Sequence, residues 1–424
     1  MSKSLARMLS VSEAQNAIVA VFKPVSIEIQ PIDHVLSRIL AEDVVSQFDL
    51  PHFSSSTMDG FAVRSHDIVN ASPEKPVKLR VTQDIPAGVV GSRPVDPGCA
   101  ARIMTGAPIP TGADVIVPVE DTNHFQSEFE IDENSEVEIY KPFTAGSFIR
   151  PIGLEIQKGQ KILDKGRKLR PQDIGMLATL GIEQISVFRK PRIAIISSGD
   201  ELLNPAVPLT PGKIYDSNSH TIAAQIHQHG WDVISLGIVK DDPEELAERL
   251  DSAISKGVDL IISTAGVSVG AYDFVKNVVE KKGTLSFWRV NIRPGKPVAF
   301  GSYQNIPFFG LPGNPVSAFV GFRIFVLPAV RKLSGLSFWR PVYFKAKLLQ
   351  PVESDGRESY LRSIVHWENG EFTARLIENQ ASGYLNSLVR ANALLILPSG
   401  VKSLPTDSQV DFWFLDNDDV LTGG

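Results

Sequence analysis

The feature that most constrains the fold is an alternation of apolar runs rich in β-branched residues with longer helical stretches. The apolar runs read "RIAIISS", "DVISLGIV" and "DLIIST", and the stretches that follow them read "SHTIAAQIHQHG", "DPEELAERLDSAISKG" and "YDFVKNVVEKKG". Continuous apolar strands joined by helices are typical of a parallel sheet covered on both faces. The sequence therefore predicts an α/β domain over residues 183–334, with ligands bound beyond the carboxyl ends of its strands.

Two other segments predict β domains. Residues 51–142 alternate short apolar runs with the turn signals "PAG", "DPG" and "PTG", a punctuation typical of a small β domain. After residue 335, the runs "YFKAKLL", "SIVHW", "ALLILPSG" and "VDFWFL" predict a second one, over residues 335–424.

The remaining residues, 1–50 and 143–182, have a mixed helical texture. We predict a first helix that ends before Pro24, with Ser12 as its cap and Gln15 at the capping-box position. Further helices are predicted over "HVLSRILAEDV" and "PQDIGMLATLGI". We expect these two stretches to form one discontinuous domain into which the first β domain is inserted, giving four domains in all.

Composition narrows the function. The chain has 424 residues, a net charge of -6 and an isoelectric point near 5.8, which argue against nucleic acid as a partner. The N-terminus lacks the apolar core of a signal peptide, and no run approaches the ~20 apolar residues of a membrane span. The single cysteine, Cys99, indicates a reducing compartment. We therefore expect a cytoplasmic protein that has neither a nucleic acid nor a membrane as a partner.

The stretch "NIRPGKPVAFG" places Arg293 and Lys296 just before a short apolar run. On an acidic chain, a local pair of cations indicates a local anion. Arginine offers a planar fork of donors and lysine a compact point charge, a pair suited to a tetrahedral oxyanion.

Two glycine-rich turns precede predicted helices. In "AGVSVG", Gly266 and Gly270 would let backbone amides approach phosphate oxygens at the positive end of a helix. In "GLPGNPVS", Asn314 suits a helix cap and Pro315 the first helical position. Neither is a Walker A loop or a G-x-G-x-x-G motif, so each also fits a plain strand-to-helix turn.

Carboxylates gather at the predicted strand ends of the α/β domain. Hard oxygen donors suit Mg²⁺, which would neutralise a phosphate chain. Taken singly, each also fits a solvated loop residue or a helix cap. The six are Asp200, Glu201, Asp216, Asp241, Asp242 and Asp273.

Taken together, an ordered series of motifs resembles the molybdopterin molybdenumtransferase family, to which the E domain of gephyrin is also similar. The resemblance runs from about residue 10 to past residue 400. The motifs are "SSSTMDGFAVR", "RIMTGAPIPTGADVIVPVE", "SSGDEL", "IYDSNS", "AGVSVGAYDF", "IRPGKPVAFG" and "GLPGNPVSAF".

The resemblance implies an elongated homodimer of four-domain subunits. Adenylylated molybdopterin and molybdate would meet in a cleft between the α/β domain of one subunit and the inserted β domain of the other. Mg²⁺-dependent cleavage of the adenylyl pyrophosphate would accompany molybdenum insertion and release AMP.

The resemblance, with the motifs above, also assigns candidate residues. The catalytic candidates are Asp59, Thr105, Glu201, Asp241 and Asp273, of which Glu201 and Asp273 would bind Mg²⁺. The candidates for molybdate or phosphate are Arg293, Lys296, Pro297, Ser317, Arg357, Arg362 and Ser382. Those for molybdopterin and its nucleotide are Gly266, Ser268, Gly270, Pro312, Gly313, Asn314 and Pro315.

The chain departs from the family pattern at four positions. Arg293 stands where lysine is usual, and Glu155 where aspartate is usual. Ala265 replaces a glycine, which narrows backbone freedom, and Ala271 replaces an acidic residue. The departures at Ala265 and Ala271 would weaken nucleotide or Mg²⁺ binding.

Two alternatives stay open at this point. A molybdopterin adenylyltransferase would resemble the α/β domain alone, so it would not need residues 1–180 and 335–424. A non-enzymatic scaffold, as in gephyrin, is the other alternative. The choice between molybdate and tungstate is not decided by the sequence, because the two oxyanions have nearly the same size and charge.

Overall fold

The structure is a computed structural model that describes residues 8–124, 135–264, 272–287 and 289–416, without the side chains of residues 272–274. The chain divides into two compact units. We call Asp43–Leu163 the inserted unit, and Met1–Glu42 with Asp164–Gly424 the main unit. Because this division has two parts, the four predicted domains and their boundaries stay a prediction. Among the described residues, no helix has the length and apolar character needed to cross a membrane.

The main unit begins with helix α1 (Val11–Val21). The predicted cap at Ser12 with Gln15 is wrong by two residues. Ser10 is the cap, since its hydroxyl accepts from the Glu13 amide at 3.2 Å and its own amide donates to the Glu13 carboxylate at 2.8 Å. Both pairs fit the capping-box spacing, and the charged carboxylate is the stronger acceptor.

The second predicted helix, over "HVLSRILAEDV", is also wrong. Strand β1 (Ile27–Pro31) leads into a short 3-10 turn at Ile32–His34, and the rest of the segment forms the two-residue strands β2 (Ile39–Leu40) and β3 (Val44–Val45). Each of these short strands pairs with a strand far along the chain. Tertiary pairing here overrides the local helical pattern.

The inserted unit contains residues 51–142, the segment predicted to form a β domain, together with residues on either side of it. Its main sheet has five strands in the order β8-β5-β7-β6-β9, beside the pairs β10-β4 and β11-β3. Side chains alternate between the two faces of the sheet, so Phe61 and Val63 join one apolar cluster and Ala62 another. Its strands after β3 are β4 (Ser55–Ser56), β5 (Gly60–Val63), β6 (Val77–Ile85), β7 (Cys99–Ile103), β8 (Val115–Pro118), β9 (Glu136–Ile139), β10 (Ile149–Arg150) and β11 (Lys161–Leu163).

The main unit resumes with α2 (Pro171–Thr179), the helix predicted over "PQDIGMLATLGI". The Asp173 carboxylate anchors its first turn by accepting from Arg167 Nε at 3.0 Å and from the Arg170 amide at 3.0 Å. Strand β12 (Gln184–Phe188) then lies between β1 and β2 in a three-stranded sheet.

The predicted α/β segment follows. Its described elements agree with the predicted strands and helices to within two residues, and short strands and a π-helical stretch, Phe322–Val326, add to them. The elements are β13 (Arg192–Ser198), β14 (Leu202–Leu203), β15 (Ile214–Tyr215), α3 (Ser217–Gln228), β16 (Asp232–Val239), α4 (Pro243–Ser255), β17 (Leu260–Thr264), α5 (Tyr272–Lys282), β18 (Gly283–Phe287), β19 (Ile292–Arg293), β20 (Ala299–Tyr303), β21 (Ile306–Leu311), α6 (Pro315–Gly321) and α7 (Leu327–Leu333).

The central sheet has the order β16-β13-β17-β21-β20-β18. Its first four strands are parallel, but β20 and β18 are antiparallel to their neighbours. A wholly parallel sheet is therefore not what forms. The reason is the two-residue link between β20 and β21, Gln304 and Asn305, at φ 46° and 67°. Such a tight turn joins only antiparallel strands.

Both faces of this sheet are covered, as predicted. Alternate residues of β13 enter two different cores: Ile193 and Ile195 pack with Ile222 and Ile226 of α3, whereas Ala194 and Ile196 pack with residues of α4 and α5. The carboxyl ends of the parallel strands therefore form one edge at which loop residues can meet.

The C-terminal segment is the predicted β barrel. Strands pair in the closed ring β24-β25-β22-β28-β26, which returns to β24. The two residues of β19 add to β24, so this segment joins the barrel to the α/β segment. The barrel elements are β22 (Phe344–Leu348), β23 (Val352–Glu353), β24 (Glu358–Glu368), β25 (Glu371–Leu376), α8 (Asn386–Arg390), β26 (Ala393–Leu397), β27 (Ser403–Leu404) and β28 (Gln409–Phe414).

Candidate functional site

A cavity of about 360 Å³ in the main unit is lined by all seven residues predicted to bind molybdate or phosphate. We call it the cationic cavity, because its described lining includes four cationic side chains and no carboxylate. Four segments that are distant in sequence meet there. The lining residues are Arg293, Pro294, Gly295, Lys296, Pro297, Pro312, Asn314, Ser317, Arg357, Leu361, Arg362, Gln380, Ala381 and Ser382.

The "RPGK" turn is fixed at both ends. Arg293 is in β19, which pairs with β24 in the barrel. The Val290 amide donates to the Lys296 carbonyl at 3.1 Å and closes the turn. Between them Gly295 has φ +99°, a backbone conformation in which other residues are strained. The glycine thus allows the two cations to lie close together on either side of a sharp turn.

The four cations differ in how they are held. Arg357 is paired with a carboxylate. Its Nε and Nη2 donate to Asp355 at 3.0 and 2.5 Å, and its Nη1 donates to the Ile292 carbonyl at 3.1 Å. These contacts lower the pKa of Asp355. Lys296 is exposed and makes no side-chain hydrogen bond or ion pair within the described residues. Lys296 is therefore more available to an anion than Arg357.

Arg362 is held differently again, being only 1% exposed. Its Nε donates to Ser387 Oγ at 3.1 Å and its Nη2 to the Ala381 carbonyl at 3.2 Å. These acceptors are neutral, so they do not cancel its charge. Burial, with a smaller contribution from the nearby Arg293, lowers the pKa of Arg362 to about 10. Within the described part of the chain no carboxylate neutralises this guanidinium, and a buried charge without a counter-ion is costly. An anion in the cavity would remove that cost.

The "GLPGNPVS" turn forms another wall of the cavity. Asn314 occupies the cap position of α6, but its side chain makes no capping bond, so the predicted capping role is not realised. Its Nδ2 instead donates to Ser382 Oγ at 2.9 Å. Pro315 is at the first helical position, as predicted, and the Gly313 carbonyl accepts from Asn218 Nδ2 at 2.8 Å. The α6 start and the barrel segment are thus tied together.

A group of negatively charged side chains lies at the carboxyl ends of β13 and β16. We call Asp200, Glu201 and Asp241 the acidic cluster. The Asp241 amide donates to Asp200 Oδ1 at 3.4 Å. Partial burial, and then the charges of Asp200 and Glu201, raise the pKa of Asp241. The three carboxylates therefore repel one another, which favours a cation among them.

Gly199 in "SSGDEL" is needed for this arrangement. It has φ +149°, and a Cβ there would come within 2.8 Å of the Glu201 carboxylate carbon. Any larger residue would push Glu201 away from the cluster. The described residues do not, however, arrange any three His, Cys, Asp or Glu side chains to hold a metal ion. Among the described residues, the acidic cluster therefore does not supply a complete set of metal ligands by itself.

Two of the six predicted carboxylates have structural partners. Asp216 caps α3, accepting from the Ser219 amide at 3.1 Å, and Asp242 caps α4, accepting from the Glu244 amide at 2.8 Å. The predictions for Gly266, Ser268 and Gly270, and the departures at Ala265 and Ala271, lie outside the described residues. So does the side chain of Asp273, whose backbone is in α5.

In the inserted unit, Asp59 and Thr105 come together although 46 residues separate them. The Thr105 amide and hydroxyl both donate to Asp59 Oδ1 at 2.7 Å. These two bonds, the hydroxyl first, lower the pKa of Asp59, with Arg102 adding a smaller effect. Glu155, which stands where aspartate is usual in the family, forms an ion pair with Arg150 at 2.8 Å. Its carboxylate therefore has a local partner.

Sequence reasoning missed several residues that shape the cationic cavity. Gln380 lies two residues before the predicted Ser382, in the stretch "QASGYL", and it lines the cavity although it is not among the residues predicted from the sequence. Ser387 is fully buried and touches Arg362, so no surface pattern indicates it.

A second cavity, of about 440 Å³, lies beside α3 and includes His220 and His227 in its lining. Of its lining residues, only Asp216 is a candidate named from the sequence.

Comparison with protein families covers nearly the whole chain. Residues 9–181 match the MoeA N-terminal region (domain I and II). Residues 194–332 match a probable molybdopterin binding domain, and residues 345–415 match the MoeA C-terminal region (domain IV). The three matched regions occur in this order along the chain.

Individual relatives agree. The chain is 40% identical over 370 residues to the molybdopterin molybdenumtransferase of Nostoc sp., covering 86% of this chain and 83% of the relative. It is 35% identical over 396 residues to that of Bacillus subtilis, covering 93% and 91%. Two crystal structures of molybdopterin biosynthesis MoeA protein from Pyrococcus horikoshii superpose with TM-scores of 0.82 and 0.79 at 32% and 30% identity, covering 96% of this chain and 99% and 100% of theirs. The chain belongs to the MoeA family of molybdopterin molybdenumtransferases, transferase enzymes of molybdenum cofactor biosynthesis.

Proposed function

We propose that this protein inserts molybdenum from molybdate into adenylylated molybdopterin, and that the cationic cavity binds the molybdate. The observation that supports this most strongly is the buried guanidinium of Arg362, whose acceptors among the described residues are all neutral, beside Arg293 and Lys296. Positive charges that lack a counter-charge lower the cost of bringing a dianion out of water. Unit charges ~4 Å apart attract by about 4 kcal/mol at intermediate dielectric.

Within the cavity the residues divide their tasks. Lys296 and Arg293 donate to the anion's oxygens. Arg362, whose position is fixed by burial, attracts the anion with its positive charge. Ser317 and Ser382 offer hydroxyls at the wall formed by α6 and the barrel. Arg357, held by Asp355, keeps the end of β24 next to β19. Pro297 and Pro312 shape the cavity without competing for the anion's oxygens.

The acidic cluster fits Mg²⁺ by its donor chemistry, since carboxylate oxygens are the ligands that this ion prefers. Partial burial and the charges of Asp200 and Glu201 raise the pKa of Asp241, and a bound Mg²⁺ would relieve that repulsion. Glu201, Asp241 and Asp273 are the residues we propose to hold it, completed by phosphate oxygens of the substrate. When bound, Mg²⁺ neutralises the pyrophosphate that links molybdopterin to AMP. Gly266, Ser268 and Gly270, with Gly313, Asn314 and Pro315, are the proposed contacts of the molybdopterin nucleotide, and hydrolytic release of AMP accompanies the insertion.

We propose further that the protein works as a homodimer of four-domain subunits, with the boundaries predicted above. Asp59 and Thr105 of the inserted β domain then serve the partner subunit's cleft. The bonds to Thr105 lower the pKa of Asp59 and keep its carboxylate ionised, which suits contact with Mg²⁺ better than proton abstraction, because a lowered pKa makes a weaker base. The lone, buried Cys99 is consistent with the cytoplasm, our proposed location for the reaction.

The decisive assay follows the metal in the product. Purified protein is incubated with adenylylated molybdopterin, Mg²⁺ and either molybdate or tungstate. AMP is quantified, and the metal content of the released pterin is measured. We expect AMP release and molybdenum-bearing pterin in equal amounts. A parallel incubation with ATP and molybdopterin that has not been adenylylated tests the adenylyltransferase alternative. Release of pyrophosphate there, with no metal in the pterin of the first incubation, would support that alternative, against which the matches to MoeA regions on both sides of the α/β segment count.

The shared site has its own test. At a molybdate concentration that half-saturates the native protein, Asp59→Asn and Lys296→Ala subunits are each expected to show little activity as homodimers. If each site draws on two chains, a mixture should contain heterodimers with one intact site, and activity should return. Heterodimers that form, as shown by differently tagged subunits, and yet stay inactive would argue against a shared site.

A further inference from the structure

The guanidinium of Arg362 depends on a turn that has no regular secondary structure. Two of its acceptors, the Ala381 carbonyl at 3.2 Å and the Asn379 carbonyl at 3.5 Å, belong to the segment 379–381. This segment follows β25 and precedes α8. Unless the turn is fixed, the direction of the guanidinium is not fixed either.

Gln380 fixes the turn. Its Oε1 accepts from the Arg362 amide at 3.0 Å, and its Nε2 donates to the carbonyls of Arg362 and Ile377, both at 2.8 Å. The side-chain amide thus satisfies both backbone groups of Arg362, as a neighbouring strand would. Because its oxygen and both its amide hydrogens are engaged, Gln380 has no donor left for a ligand, although it lines the cavity.

The same turn also places a second cavity residue. Ser382 follows directly, and its carbonyl accepts from the Val316 amide at 3.1 Å while its hydroxyl accepts from Asn314 at 2.9 Å. On the far side, Ser387 Oγ donates to the Tyr384 carbonyl at 2.7 Å, which turns its lone pairs toward Arg362 Nε. Nε and Nη2 are engaged in this way, and no partner of Nη1 is found among the residues that the structure describes, so Nη1 is the nitrogen that remains for an anion.

We infer that Gln380 is a positioning residue for the oxyanion, and that it acts through Arg362. It holds the 379–382 turn against β24, so that the Arg362 charge and the Ser382 hydroxyl face the cavity together. This inference rests on the proposed function of the cationic cavity as the molybdate site.

The test compares Gln380→Ala with a matched control, Gln83→Ala. Gln83, in the inserted unit, also clamps a turn through both ends of its amide, accepting from the Ser92 amide at 2.9 Å and donating to the Arg93 carbonyl at 2.7 Å. Binding of molybdate is measured by calorimetry, together with the KM for molybdate, the KM for adenylylated molybdopterin, and the melting temperature. We expect Gln380→Ala to raise the molybdate Kd and KM about tenfold, with the pterin KM nearly unchanged, and Gln83→Ala to lower the melting temperature only.

A double-mutant cycle separates positioning from general damage. If Gln380 acts through Arg362, Gln380→Ala should change the molybdate Kd little once Arg362→Ala is present. Should Arg362→Ala fail to fold, Arg362→Gln supplies the neutral background, because its amide can use the same acceptors. Additive effects in either background would overturn the inference.

The remaining outcomes are distinct. If the native protein binds molybdate and Lys296→Ala weakens binding, but Gln380→Ala binds like the native protein, the inference about Gln380 is wrong and the proposed site stands. If the native protein binds no molybdate, the proposed site itself is wrong, and the inference falls with it.

Discussion

The cationic cavity and the acidic cluster are two places in the main unit where like charges gather, and they differ in how the protein holds them. In the cavity, Arg362 is buried and braced by neutral acceptors. In the cluster, Asp200, Glu201 and Asp241 are exposed on loops. Each arrangement shifts a pKa in the direction that opposes ionisation, lowering that of Arg362 and raising that of Asp241.

The difference indicates two kinds of ion site. The buried charge of Arg362 is held by hydrogen bonds and cannot move away from its neighbours, so the cavity is organised before the anion binds. Exposed carboxylates on loops are screened by water and can move apart, so the acidic cluster takes its final form only with a cation and the substrate's own oxygens. We expect substitutions in the cavity to change affinity strongly, and substitutions in the cluster to change the dependence on Mg²⁺ and pH.

The largest effect is expected for Lys296→Ala. Loss of one charge-assisted contact, worth ~1.5–3 kcal/mol, should raise the molybdate concentration for half-maximal insertion by roughly 10- to 150-fold. The pterin nucleotide KM should change less. The matched control is Lys345→Ala, which removes an exposed lysine of the barrel that pairs with Asp411 at 2.9 Å. An unchanged molybdate dependence in Lys296→Ala would remove this lysine from the site.

Substitutions of Arg293 show whether molybdate binding needs its positive charge or the geometry of its donors. Arg293→Ala should weaken molybdate about as much as Lys296→Ala, whereas Arg293→Lys, which restores the residue usual in the family, should stay within roughly threefold of the native protein. Removing this charge should also bring the pKa of Arg362 back up, since Arg293 helps to lower it. Molybdate titrations of both variants check the first point. Equal losses in Arg293→Ala and Arg293→Lys would show that the planar fork, and not the charge, is required.

For the acidic cluster, Asp241→Asn should raise the Mg²⁺ concentration needed for half-maximal thermal stabilisation about tenfold. In EDTA the same variant should melt at or above the temperature of the native protein, because one of three mutually repelling charges is gone. Asp242→Asn is the matched control, since Asp242 caps α4 and is the next residue. That change should lower the melting temperature without altering the Mg²⁺ dependence. The reverse pattern would make Asp242 the ion-binding residue.

The smallest effect concerns pH. Because the folded-state pKa of Asp241 is raised above its value of 3.8 in the unfolded chain, the folded state binds more protons between those two values. Stability from this group therefore falls as pH rises through that window, and the penalty persists at neutral pH. Melting curves in EDTA should show a smaller rise on mild acidification for Asp241→Asn than for the native protein. Mg²⁺ should abolish the difference, and a difference that persists in saturating Mg²⁺ would mean that the ion binds elsewhere.

Much of the fold was predictable because its signals are local. The period of the apolar residues identified β13, β16, β17 and the helices between them, and turn residues located the strands of both β segments. The errors came where a local pattern has competitors. Two capping boxes overlap at Ser10 and Ser12, and the segment around Ile39 becomes strand because partners elsewhere in the chain pair with it.

For the site, motifs indicated which residues matter but not how each acts. Arg357 and Arg362 are only five residues apart in the sequence, yet one is paired with Asp355 and the other is buried against neutral acceptors. Asn314 was predicted to cap a helix and instead binds Ser382. Such assignments depend on which distant segment supplies the neighbour, and no spacing within a motif encodes that.

By itself, the sequence determined the kinds of structural element, the charges available and the family, because these follow from residue types and their order. Only the tertiary structure decided which of those charges stay uncompensated. The barrel strand β24 and the "RPGK" turn are more than sixty residues apart, and pairing of Ile292 with Glu358 brings their cations into one cavity. A charge acquires its chemical role from its burial and its nearest neighbours, and both are properties of the folded chain.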